Sequence, residues 1–167
     1  MRILGIDPGS RATGFGVIEC DGPRLRAVRW GRLTAPRHLP LCERLLAVYD
    51  GVREVLAADR PDVAAVESVF FAQHPRGALV LGQARGVVLL AAAQAGLAVA
   101  EYSPLAIKQA VVGHGRAEKA QVQAMVQALL GLTRPPPSDA ADALAAAICH
   151  AHSEPLAARL RASQARR

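Results

Sequence analysis

The sequence predicts a single α/β domain, a mixed five-stranded sheet flanked by helices, and three observations lead there. Three strand-like runs joined by tight turns open the chain, so its start folds as an antiparallel meander. Beyond them, helical periodicity alternates with two short apolar runs, the pattern of strands covered by helices. A chain of 167 residues also holds one ordinary core but not two domains and a linker.

Residues 2–6 (RILGI) form the first strand, which Pro8-Gly9 stops with Asp7 at its carboxyl end. Residues 13–20 (TGFGVIEC) and 25–33 (LRAVRWGRL) follow as strands, separated by the hairpin signal Asp21-Gly22. Over 39–58, Leu41, Leu45, Leu46, Val48, Val52 and Leu56 recur at helical spacing opposite Arg44, Arg53 and Glu54, which makes an amphipathic helix. Residues 62–66 (DVAAV) are a short buried strand that again ends in a carboxylate, Glu67.

The helix expected over 73–96 is apolar on more than one face and needs partners on several sides, either a central place in the core or a second copy of the chain. Residues 97–102 return as a strand, and helices follow over 104–112 and 117–130 around the basic loop 113–116 (GHGR). The triproline 135–137 prevents helix continuation, and Ser138 then caps a last helix over 139–151 (DAADALAAAICHA). Asp139 and Asp142 fall in its first turn.

Hydrophobic residues at 51% and charged residues at 20% exclude an extensively disordered chain. A net charge of +6 and an isoelectric point near 10.0 fit a polyanionic partner, nucleic acid or an acidic membrane surface, without choosing between them. Arg159, Arg161, Arg166 and Arg167 cluster at the end, so residues 1–154 read as the domain and 155–167 as a basic tail that need not be ordered. Cys20, Cys42 and Cys149 lack any CxxC spacing, which points to reduced, buried thiols rather than a disulfide or zinc site. No charged segment followed by an apolar core opens the chain. The longest apolar stretch, 86–100, is interrupted by Gln94 and falls short of the roughly 20 residues of a spanning helix. A cytoplasmic protein without a membrane partner is the expectation, with that stretch as a buried helix leading into a strand.

Asp7 and Glu67 would share one sheet edge if their strands run parallel and adjacent, and Asp139 and Asp142, at i and i+3, would share a helix face. Each acid alone has an ordinary explanation: a turn, a surface position, or a place at a helix start that favours the dipole. Together they would raise one another's pKa unless a cation compensated them. Oxygen-only ligation favours Mg²⁺ or Mn²⁺ over zinc, and two such ions about 4 Å apart hydrolyse phosphodiesters in known enzymes.

Several segments carry a family resemblance: GIDPGSRATGFGVIE at 5–19, VESVF at 66–70, LGQARGV at 81–87, VVGHGRAEKAQVQAMV at 111–126 and SDAADALAAAICHAH at 138–152. In this order they resemble the RuvC family of Holliday-junction resolvases, from residue 1 to about 154. The resemblance implies an RNase H-like fold and a homodimer that nicks two opposing strands of four-way junction DNA symmetrically, in recombination and repair. It also implies RuvA and RuvB as branch-migration partners. Metal ligands map onto Asp7, Glu67, Asp139 and Asp142, phosphate contacts onto Lys108 and Lys119, and a base-stacking wedge onto Phe70, with Phe71 beside it. Lys108 and Lys119 are the only lysines, and a compact ammonium suits a phosphate or the attacking water, hence a catalytic role for Lys119. Arg11 and Arg76, near the acidic strand ends, are further candidates for DNA contact. Some relatives carry a histidine in the last motif where this chain has acids; His150 and His152 are expected to be ordinary helix residues.

Two other readings stand beside this one. GIDPGS also resembles the phosphate-binding turn of actin-like and hexokinase-like ATPases, but those clamp nucleotide between two such domains and this chain has room for one. A non-catalytic module that binds branched DNA would need no complete acidic set, and here the set is complete.

Overall fold

The computed structural model describes residues 1–9, 11–68 and 75–164, with side chains described except at 75–76 and 155–164. The strands are β1 (Arg2–Asp7), β2 (Ala12–Asp21), β3 (Arg24–Thr34), β4 (Val63–Glu67) and β5 (Ala98–Tyr102). The helices are α1 (Leu41–Asp59), α2 (Pro75–Gln94), α3 (Pro104–Val112), α4 (Lys119–Leu129) and α5 (Ser138–Gln164). The five strands form one sheet in the order β3-β2-β1-β4-β5. β1, β2 and β3 are the expected antiparallel meander, turned at Gly22 with φ +58°, a conformation glycine adopts without strain. β4 and β5 both run parallel to β1.

Alternation along the strands divides the core in two. Ile3, Ile18 and Ala65 face a layer made by α3, α4 and α5, where they meet Ile107, Val126, Leu144 and Ile148. Leu4, Ile6, Val17 and Val66 face the opposite layer, where Val48, Val52 and Val55 of α1 and Val88 of α2 cover them. By the same alternation Asp7 and Glu67, two residues beyond Gly5 and Ala65, fall on the α5 side.

Missing side chains let α5 lie directly on the sheet. A Cβ on Gly5 would stand 1.9 Å from the Ala143 carbonyl oxygen, and one on Gly16 would stand 2.5 Å from Leu144 Cδ2. Ala140, Ala143, Ala146 and Ala147 are fully buried, so small residues on both surfaces permit the close approach. At the far end Tyr102 on β5 and the buried His150 on α5 join through a 2.8 Å hydrogen bond and an edge-on ring contact. His150 is therefore a fixture of the core, whereas His152 is exposed near the Ala110 carbonyl.

Several expectations need correction. The last helix begins at Ser138, not after it, because the Ala141 amide donates to the Pro137 carbonyl. It also continues past 151 to Gln164, since Leu156–Gln164 is rich in Ala, Leu and Arg, all good helix formers. Leu46, expected on the buried stripe of α1, is exposed, because the helix turns Val48, Val52 and Val55 inward instead. Only Cys149 is buried; Cys42 is exposed, and Cys20 is half-buried against the core layer of α3, α4 and α5.

The largest departure concerns α2. Its 18 residues Gly77–Gln94 are long and apolar enough to cross a membrane, which the shorter window 86–100 concealed. The helix packs on α1 and β5 and pairs Arg85 with Glu101, yet only 22% of that window is buried. Leu79 and Leu90 stand out at 68% and 53% exposure, and Gly82 and Gly86 have open space beside them. The expected buried helix is thus a half-covered one with an apolar outer face.

Candidate active site

Four hydrogen-bonded strands place the site. Ile6 pairs with Val66 across the parallel β1–β4 junction, so Asp7 and Glu67, one residue on, end the two strands side by side. Asp7 pairs with Gly14, and Gly14 in turn with Arg32. One lateral row on the α5 face therefore runs Glu67, Asp7, Gly14, Arg32. Above the row sits the start of α5: a Cβ on Gly14 would fall 1.9 Å from the Asp139 carbonyl oxygen.

A cleft of about 460 Å³ opens there, lined by Asp7, Glu67 and Asp142 with Lys108, Lys119, Pro104 and Ile107. Asp139 is not part of that lining. Burial raises the Asp7 carboxyl to about 7, with the charges of Glu67, Asp142 and Asp139 adding to the rise and Lys119 opposing it. Glu67 is raised too, first by burial and then by Asp142, while Lys119 and Lys108 pull the other way. The charges of Glu67, Asp142 and Asp139 thus all reach Asp7.

Two cations answer that field from within the chain. Lys119 Nζ stands 2.9 Å from Asp142, a hydrogen bond that raises the lysine pKa and keeps it charged. Arg32 Nε stands 2.7 Å from Asp139. Among the described residues no three His, Cys, Asp or Glu side chains already form an ion-holding group. The donor set nevertheless suits a hard divalent cation: all oxygen, mutually repelling, and partly removed from water. Asp139 and Asp142 each hold one of these cations through a single carboxylate oxygen, Oδ2.

Lys108 and Lys119 reach the cleft from α3 and α4, helices fixed by the Ser103 cap on Ala106 N–H and by the Glu118–Gln121 capping box. Glu118 is spent on that cap, so Lys119 is free of it and turns to Asp142. Arg11 does not line the cleft; it is exposed and lines a separate groove with Gly9, Ala35 and Arg44. Arg76 belongs to the first turn of α2, with its side chain outside the described part. Phe70 and Phe71 lie outside the described residues. Sequence reasoning missed Arg32, whose only signal was an arginine at the register position opposite the glycine beside Asp7.

Comparison with known proteins identifies the family of the chain. Residues 3–150 match the family model described as crossover junction endodeoxyribonuclease RuvC. A protein of that name from Bordetella petrii is 58% identical over 160 residues, covering 96% of this chain and 88% of its own length. The structure of Thermus thermophilus RuvC superposes with a TM-score of 0.86 at 39% identity, over 94% of this chain and 97% of the other. T. thermophilus RuvC in complex with Holliday junction substrate gives a TM-score of 0.89 at 39% identity, covering 94% and 96%.

Proposed function

Because the chain belongs to the RuvC family of crossover junction endodeoxyribonucleases and shares their RNase H-like fold, we infer that it resolves Holliday junctions through the carboxylate cleft beneath the start of α5. The observation that carries the assignment of the cleft is the side-by-side ending of β1 and β4 in Asp7 and Glu67, with Asp142 lining the same cavity.

Asp7, Glu67, Asp139 and Asp142 are the residues that hold divalent cations, Mg²⁺ or Mn²⁺, two to a site. When bound there, such cations supply Lewis acidity for attack on a phosphodiester and charge compensation for the leaving oxygen. The chain itself supplies position and field. Buried strand ends hold Asp7 and Glu67 still, and the positive end of the α5 dipole favours an approaching phosphate. Lys119 contributes a compact positive charge next to Asp142, and Lys108 a second on the same wall, both suited to the DNA backbone. Phe70 keeps its proposed stacking role from the VESVF resemblance alone, and Arg76 its proposed contact from position.

Symmetric nicking of two opposing strands needs two such sites, and the open apolar face of α2 supplies a surface for a second copy. Leu79, Gly82, Gly86 and Leu90 recur near the heptad spacing of paired helices, and the glycines allow close approach. This reading makes the membrane-like composition of α2 that of a dimer seam. From the same family reading we infer a cytoplasmic protein with RuvA and RuvB as partners.

Glu67→Gln tests the assignment of the cleft. Junction binding kept within a few-fold, with nicking lost, is expected; unchanged nicking would move the chemistry elsewhere.

A further inference from the structure

Arg32 lies on β3, the open edge of the sheet, and reaches the site across Gly14, which has no side chain to block it. Its neighbours on the strand are otherwise engaged: Arg26 pairs with Glu19, and Arg29 with Asp59 on the opposite face. Arg32 alone among them faces the carboxylates, half exposed, with Nε 2.7 Å from Asp139. Trp30, the single tryptophan, pairs with Gly16 and so stands on the same face two residues back, 37% exposed.

A half-exposed arginine on a carboxylate that is itself 33% exposed is held by little more than a surface ion pair. A divalent cation competing for Asp139 carries twice the charge and gains the other three carboxylates as well. Arg32 would then be released at the mouth of the cleft, a planar cation suited to a phosphate, with an open indole beside it for a base.

We propose that Arg32 is a phosphate-contacting residue of the junction-binding surface, held on Asp139 until a divalent cation takes that carboxylate. The inference rests on the resolvase reading and adds to it an element outside the acidic set: the edge strand β3 joins the DNA surface only in the cation-loaded state.

Two measurements on the full chain decide it. The first is Mn²⁺ titration without DNA. Arg32→Ala removes the competing cation and should bind Mn²⁺ several-fold more tightly, while Arg32→Lys stays near wild type; unchanged affinity in Arg32→Ala overturns the proposal. The second is junction binding against salt, with Ca²⁺ and with chelator, the strands checked intact by gel. With Ca²⁺ the slope of log affinity against log salt should be shallower in Arg32→Ala than in wild type by about 0.9, one phosphate contact. With chelator the two slopes should coincide. Equal slopes in both conditions, or the same difference in both, contradict it. Circular dichroism of each variant separates these effects from misfolding. If the wild-type chain binds no junction under any condition, the resolvase reading fails instead, and the Mn²⁺ titration still decides whether Arg32 guards Asp139.

Discussion

Gly14 and Asp139 meet so closely that a single methyl group cannot fit between them: the Cβ that Gly14 lacks would stand 1.9 Å from the Asp139 carbonyl oxygen. This contact sets the height of the α5 start above the sheet, and with it the placing of Asp139 and Asp142 over Asp7.

Gly14→Ala should therefore damage site and fold together. Overpacking against helix backbone costs about 1–3 kcal/mol, readable by urea denaturation, and cleavage should fall at least tenfold. Gly82→Ala, with open space around the glycine, is the contrast and should not lower monomer stability. Full activity in Gly14→Ala would mean that the height of α5 does not matter.

Asp7→Asn should abolish cleavage, at least about 100-fold by loss of a metal ligand, while leaving junction binding nearly intact. It should also raise the melting temperature in chelator at pH 8. The folded chain lifts the Asp7 carboxyl from 3.8 to about 7, so ionised Asp7 opposes folding. Relief on the order of 2 kcal/mol, discounted for partial exposure, corresponds to about 5 °C in calorimetry.

The same shift sets a pH dependence. Protons favour the fold wherever the folded pKa exceeds the unfolded one, so the Asp7 contribution is fully present below pH 3.8 and lost as pH rises through about 7. In chelator, stability should decline over that window. Mn²⁺ affinity should move oppositely, rising about tenfold per unit below pH 7 as the competing proton leaves, then flattening. Thermal unfolding in chelator checks the first and titration calorimetry with Mn²⁺ the second, each at pH 5.5, 6.5 and 8; affinity independent of pH would remove Asp7 from the ligand set.

Leu79→Glu combined with Gly86→Arg should convert a dimer into a folded monomer. Both positions lie on the open face of α2 and touch nothing essential within one copy. Sedimentation should show twice 17.6 kDa for the wild-type chain and 17.6 kDa for the double variant, whose nicks on a junction should no longer be paired. A monomeric wild type would remove the proposed seam.

The strand ends were legible because short, continuous apolar runs stop at Asp7 and Glu67, and a stop that coincides with a carboxylate needs no tertiary knowledge. Their adjacency was conditional until β4 proved to pair with β1. Arg32 stayed hidden for the same reason: its place beside Asp139 depends on register across two strands, which composition does not encode. The part played by Gly5, Gly14 and Gly16 emerges only from tertiary packing, where they let an alanine-rich helix approach the sheet. In α2, periodicity showed an apolar helix without showing which face its own domain would leave bare.

Cleavage of a labelled four-way junction, beside a linear duplex of the same sequence, tests the central claim most directly, with Mg²⁺, with Mn²⁺ and with chelator. Paired, symmetric nicks in the junction alone, present with either cation, absent in chelator and absent in Asp7→Asn, are the predicted result. Binding without cutting under every condition, or equal cutting of the duplex, would contradict it.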